Sequence, residues 1–192
     1  MPAVEEAILR FAHKVGRTKN LARTGWKEKV GIKSPESIAE HMYRTALVSM
    51  VLSDLEGLDT ERVLRMSLLD DLAETITGDL TPTQKKTRGL ARSRRLEEKA
   101  LRRILSPLPK PLINRYLSIW REAQSLKSGE AKLVKSSDKL EMAIQAQEYI
   151  SQGYDAKKLM EFIKLSSAKI QNSKTARILN VLKRKPKLIS PT

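Results

Sequence analysis

Asp70, Asp71 and Glu74 crowd five positions of a leucine-rich stretch, Leu68-Leu69-Asp70-Asp71-Leu72-Ala73-Glu74. Carboxylates packed this closely bind cations or move protons. Val63, Leu64, Leu68, Leu69, Leu72, Ala73 and Ile76 recur at helical spacing, which predicts an amphipathic helix. Asp59 and Thr60 mark its start, Gly78 and Pro82 its end. The helix dipole favours anions near the N-terminus, yet these gather in the C-terminal half. Asp70 and Glu74, four apart, would share a face and repel. Such a cluster calls for a counter-charge, and a divalent metal ion is the candidate. A solvated acidic face is the alternative.

Three further sites carry groups of the same kind. His41 lies in a helix that follows Ser34-Pro35-Glu36, beside Glu40 and Arg44; a structural histidine is the other reading. Asp138 sits mid-helix among apolar neighbours in Val134-Lys135-Ser136-Ser137-Asp138-Lys139-Leu140, which is costly unless it is paired or metal-bound. An Asp–Lys surface pair is the alternative there. In Leu21-Ala22-Arg23-Thr24-Gly25-Trp26, Arg23 and Trp26 flank a turn and can hold a phosphate and a base. A loop Trp that simply packs is the plainer reading.

The elements that must position these groups are all helices. The pattern predicts helices over 3–16, 34–56, 59–77, 83–106, 112–126, 128–152, 156–166 and 172–183, with a basic, frayed tail over 183–192. No strand signal, internal repeat or Gly-rich phosphate loop interrupts them. The expected architecture is all-α: one domain over 1–182, a bundle of seven or eight helices. With 192 residues, 40% of them hydrophobic, the chain can bury a sizeable core. No apolar run approaches the roughly 18 residues of a membrane span. The first residues lack the basic-then-apolar order of a signal peptide. Cysteine is absent, which excludes disulfide and thiolate chemistry and fits a cytoplasmic setting. The net charge of +15 attracts polyanions such as nucleotides and nucleic acid without choosing among them.

The order His41, Asp70-Asp71, Asp138 resembles the HD-domain metal-dependent phosphohydrolases. Four blocks narrow the resemblance to the 5′-deoxynucleotidase branch: Arg23-Thr24-Gly25-Trp26, Pro35 to Arg44, Asp71-Leu72-Ala73-Glu74 with Thr77 to Pro82, and Asp138-Lys139-Leu140-Glu141-Met142. They span about residues 20–150. The resemblance implies that His41, Asp70, Asp71 and Asp138 hold one divalent ion, Mn²⁺, Mg²⁺ or Co²⁺. It implies Glu74 as general acid/base, Arg23 on the phosphate, Trp26 on the sugar or base, and Thr77 and Asp79 on the sugar. It implies a nucleoside monophosphate substrate and a homodimer. One position departs from the pattern: Asp70 stands where the family has the His of its His-Asp pair. The ligand set becomes one imidazole and three carboxylates, which suits hard ions and leaves bound water less acidic.

Two other functions fit the same residues. One is a degenerate HD domain that binds nucleotides or nucleic acid through basic runs at Lys85 to Arg95 and around Lys183. The other is an HD phosphohydrolase acting on nucleoside triphosphates or guanosine tetraphosphate-type alarmones. The Glu74 and Thr77-Gly78-Asp79 block argues against the latter.

Overall fold

The computed structural model of the chain describes residues 3–189. Among these, ten α-helices follow one another: α1 (Val4–Gly16), α2 (Ile38–Glu56), α3 (Thr60–Leu69), α4 (Glu74–Thr77), α5 (Pro82–Arg88), α6 (Leu90–Leu105), α7 (Lys110–Ser125), α8 (Gly129–Ser151), α9 (Ala156–Ser167) and α10 (Ser173–Arg184). The count exceeds seven or eight because two expected helices are each split.

The split that matters most falls inside the acidic stretch. α3 stops at Leu69, and α4 begins only at Glu74. Between them the backbone tightens: Glu74 N–H donates to the Asp71 carbonyl and Thr75 N–H to that of Leu72. Leu72 and Ala73 plug the core at this corner. The expected conflict with the helix dipole is thereby removed for Glu74 and persists for Asp70, which stands at the C-terminal end of α3. Asp70 caps α3, and Glu74 opens α4, the end where an anion is favoured. Asp70 and Glu74 do not share a helical face. The second split is at Gly89, whose φ of 90° lies in the region glycine tolerates; it separates α5 from α6.

α2 starts at Ile38, not at Ser34-Pro35. Ser37 is its N-cap, in a capping box with Glu40. The residues before it are used elsewhere. Arg23 N–H donates to the Glu36 carbonyl (3.0 Å) and Ile38 N–H to the Leu21 carbonyl (2.8 Å). These two bonds pin the Arg23 loop against the first turn of α2, where His41 sits.

Two core clusters meet along α8. Its first half gives Leu133 and Val134 to a cluster with α2, α3, α6 and α7. Its second half gives Leu140, Ala143 and Ala146 to a cluster with Trp26, α9 and α10. Asp138 lies at the junction. On α2, Val51 and Leu55 are exposed together with Tyr43 and Leu47. The basic C-terminal stretch is helical to Arg184, then turns over Pro186–Ile189, and Ile189 packs on the second cluster. Residues 190–192 lie outside the described residues. Among the described residues no helix is long and apolar enough to cross a membrane.

Candidate functional site

His41, Asp71 and Asp138 meet in the interior. His41 comes from the first turns of α2, Asp71 from the corner after α3, and Asp138 from the middle of α8. His41 Nε2 lies 3.5 Å from Asp71 Oδ2 and 3.3 Å from Asp138 Oδ1. Ligands of one ion at about 2.1 Å stand about 3–3.5 Å apart, so His41 Nε2 is spaced to share a divalent metal with each aspartate. The three donor atoms do not all lie within 4.8 Å of one another, so a shared ion would have to draw the two aspartates together. The other ring nitrogen is spoken for: His41 Nδ1 bonds the buried Glu141 carboxylate. Glu141 is held in turn by Arg44 Nε at 3.0 Å and Nη2 at 2.8 Å. A histidine anchored at one nitrogen by a carboxylate presents the other to a metal.

Glu36, His41 and Glu141 also approach within 4.8 Å of one another. The Trp26 indole N–H already donates to Glu36 (2.9 Å), and Arg44 already engages Glu141. This group reads as the shell that orients the imidazole. Burial, with the nearby Glu141 charge, pushes the Glu36 carboxyl up to about 7.

Asp70 joins the cluster from the side. Its Oδ1 accepts from Gln124 Nε2 at 2.7 Å, and its Oδ2 lies 3.7 Å from Lys135 Nζ. Lys135 also reaches Asp138 Oδ2, at 2.8 Å, and Lys139 reaches the same oxygen at 3.0 Å. Asp138 thus offers one oxygen to two lysines and the other to His41. Burial works against its charge, but Lys135, Lys139 and His41 outweigh it and hold the carboxyl well below the usual range. For His41, burial and the nearby Arg23 work against protonation. The Glu141 and Asp138 carboxylates outweigh them and push the metal-free imidazole up to about 10.

Arg23 and Glu74 complete the site. Arg23 Nη1 lies 3.2 Å from Asp79 and 3.9 Å from both Asp71 and Glu74. Asp79 fastens the loop twice, since its second oxygen accepts the Thr24 N–H at 2.6 Å. Glu74 is 5% exposed, and its Oε2 is buried without a hydrogen-bond partner. Burial, reinforced by Asp71 and Asp79, keeps its carboxyl protonated well above the usual range. Lys85 stands 3.5 Å from the other oxygen. Trp26 is elsewhere: 1% exposed, it packs on Phe162 and Tyr149. The Thr77 hydroxyl turns back on its own helix, within 3.3 Å of the Ala73 carbonyl.

The sequence model of the HD domain family matches residues 15–178. The chain belongs to the HD domain family. It is 33% identical to the human protein named 5′-deoxynucleotidase HDDC2 over 176 residues, 92% of this chain and 84% of that relative. It is 36% identical to 5′-deoxynucleotidase hdd1 of Schizosaccharomyces pombe over 160 residues, 81% of this chain and 79% of that one. Among solved structures, the PH0347 protein from Pyrococcus horikoshii OT3 superposes with a TM-score of 0.74 at 31% identity. That match covers 92% of this chain and 98% of that one.

Sequence reasoning missed the partners that hold the family residues in place. Glu141 had a readable signal: it follows Asp138 by three positions, so both carboxylates share one face of α8. Lys135 likewise precedes Asp138 by three. Gln124 and Lys85 had none, because only tertiary packing brings them to Asp70 and Glu74.

Proposed function

We propose that the protein is a metal-dependent phosphohydrolase that releases phosphate from (deoxy)nucleoside 5′-monophosphates. The observation that carries this reading is the approach of His41 Nε2 to both Asp71 and Asp138, beside an arginine fork and a buried glutamate whose Oε2 has no hydrogen-bond partner. His41, Asp71 and Asp138 would hold one divalent ion, with Mn²⁺ or Mg²⁺ suited to the carboxylates and Co²⁺ next. When bound, it would polarise the phosphate and acidify water.

The chain's own residues supply the rest. Arg23, kept charged chiefly by Asp79 and Asp71 against the effect of burial, has further N–H donors for phosphate oxygens. Glu74 carries a proton that the leaving sugar oxygen needs. Asp79 fixes Arg23, and its spare lone pairs together with Thr77 are the proposed sugar contacts. Trp26, buried, acts through Glu36 and not by stacking on a ligand. In this reading Asp70, which replaces the family's His, serves chiefly to neutralise Lys135.

The functional assembly in this reading is a homodimer. Tyr43, Leu47, Val51 and Leu55 are 66%, 40%, 52% and 64% exposed at four-residue spacing on α2, a stripe a second copy would cover. The lack of cysteine supports the cytoplasm as its compartment.

The deciding experiment is phosphate release from the eight common 5′-(deoxy)nucleoside monophosphates with Mg²⁺, Mn²⁺ and Co²⁺. Release with at least one metal, stopped by EDTA and by Asp71→Asn, is expected. Metal binding without release from any substrate would favour the degenerate, ligand-binding reading.

A further inference from the structure

A basic groove adjoins the proposed substrate site and shares Thr77 with it. It is open, with a volume of about 830 Å³, and runs between α5 and α6, closed at one end by Ile76 and Thr77 of α4. Arg88, Arg92, Lys99 and Arg103 line it, and no carboxylate does. Residues 85–103 hold nine basic residues against two acids, Glu97 and Glu98. Both acids are engaged away from the groove: Glu97 pairs with Lys85, and Glu98 with Arg121 and Arg102. None of the four groove cations has an ion-pair or side-chain hydrogen-bond partner among the described residues. Lys99 and Arg103 are four apart on one helix, where like charges repel. All four are exposed, so water and counter-ions screen their repulsion, and a bound polyanion would release those counter-ions.

The groove's shape selects the anion. Arg92 and Arg103 are eleven positions apart on α6, which spaces them by about 16 Å along the helix. One phosphate cannot answer charge over that length, whereas a chain of phosphates can. Thr83, Thr87 and Gln84 add the hydroxyl and amide groups that contact phosphate oxygens. Leu96 and Ala100 give an apolar floor for sugars. No aromatic ring lines the groove, so the bases would not stack there and the contacts would be to the backbone. We propose that this groove binds the backbone of a single-stranded nucleic acid, without sequence preference.

The test is fluorescence anisotropy of a labelled twelve-nucleotide oligo(dT) at several salt concentrations. It compares the full-length protein with Arg92→Glu/Arg103→Glu. The control is Lys127→Glu/Lys132→Glu, an equal change of net charge at exposed residues around the start of α8, away from both basic runs. The groove variant should lose about tenfold in affinity at moderate salt, and its salt slope should flatten by about 1.4, while the control loses under threefold. Circular dichroism and melting check the fold; should the double variant misfold, Lys99→Gln should still weaken binding about threefold. Equal losses in both double variants, or competition by poly-glutamate as strong as by unlabelled strand, would overturn the proposal. Binding needs no turnover, so this result is independent of the nucleotidase assay.

Discussion

Glu74 shows how an environment sets the chemistry of one residue. Its Oε2 is buried without a hydrogen-bond partner, and burial beside Asp71 and Asp79 favours the protonated form. Glu74→Gln keeps the shape and removes the proton. It should lower phosphate release by about 10²–10⁴-fold while metal binding, followed by calorimetry, stays unchanged. His41 sets the pH response. Its metal-free pKa of about 10 exceeds the ordinary 6.5, so the charged ring stabilises the metal-free fold fully below pH 6.5. That contribution is lost as pH rises from 6.5 through about 10. A metal needs the neutral ring and must displace the proton. Apparent metal affinity should therefore climb about tenfold per pH unit from pH 7 to 8, with one proton released; a flat profile would remove His41 from the ligand set. Asp70 was legible as an acid out of place, but its partners were not, since Gln124 and Lys135 lie 54 and 65 positions away in sequence. Because both its oxygens are engaged there, Asp70→Asn should shift metal affinity by under threefold. A tenfold loss would make it a ligand.

The elements were legible where the chain signals locally and hidden where packing decides. Gly57, the Ser128 cap and the Asn172 cap mark ends that periodicity alone locates. The corner at Asp70–Ala73 contains no Gly or Pro, so the pattern reads straight through it. What breaks the helix there is tertiary: Leu72 and Ala73 enter the core while Asp71 turns to His41. The start of α2 misled for a related reason. Ser34-Pro35-Glu36 is a good cap on paper, but Glu36 donates its N–H to the Tyr149 hydroxyl and takes the Trp26 indole on its side chain. The true cap, Ser37, holds the turn that carries His41. Ser37→Ala should cost about 1 kcal/mol, a fall of about 2–4 °C in Tm by calorimetry. An unchanged Tm would show that packing, not the capping box, fixes this end.

At the scale of the molecule, α8 joins the two cores and places Asp138 and Glu141 where they meet, so the proposed metal ligand and its orienting carboxylate sit on one helix. The helical class was readable from periodicity throughout. How the molecule is partnered was not, because exposure is a tertiary fact: an apolar Val51 or Leu55 in a helix does not say which way it faces, and α2 turns both outward. That stripe and the proposed metal ligand His41 lie on opposite faces of the same helix. His41, Met42, Thr45 and Ser49 face in, while Tyr43, Leu47, Val51 and Leu55 face out. A charge placed on the stripe should therefore act on assembly alone. Leu47→Glu/Val51→Glu is expected to halve the mass measured by light scattering after size exclusion. Every proposed ligand and proton carrier comes from one chain, so the monomer should keep phosphate release within about threefold. If the unaltered protein already runs as a monomer, the stripe is not a dimer interface. If the variant separates and loses activity with its fold intact, a neighbouring copy completes the site.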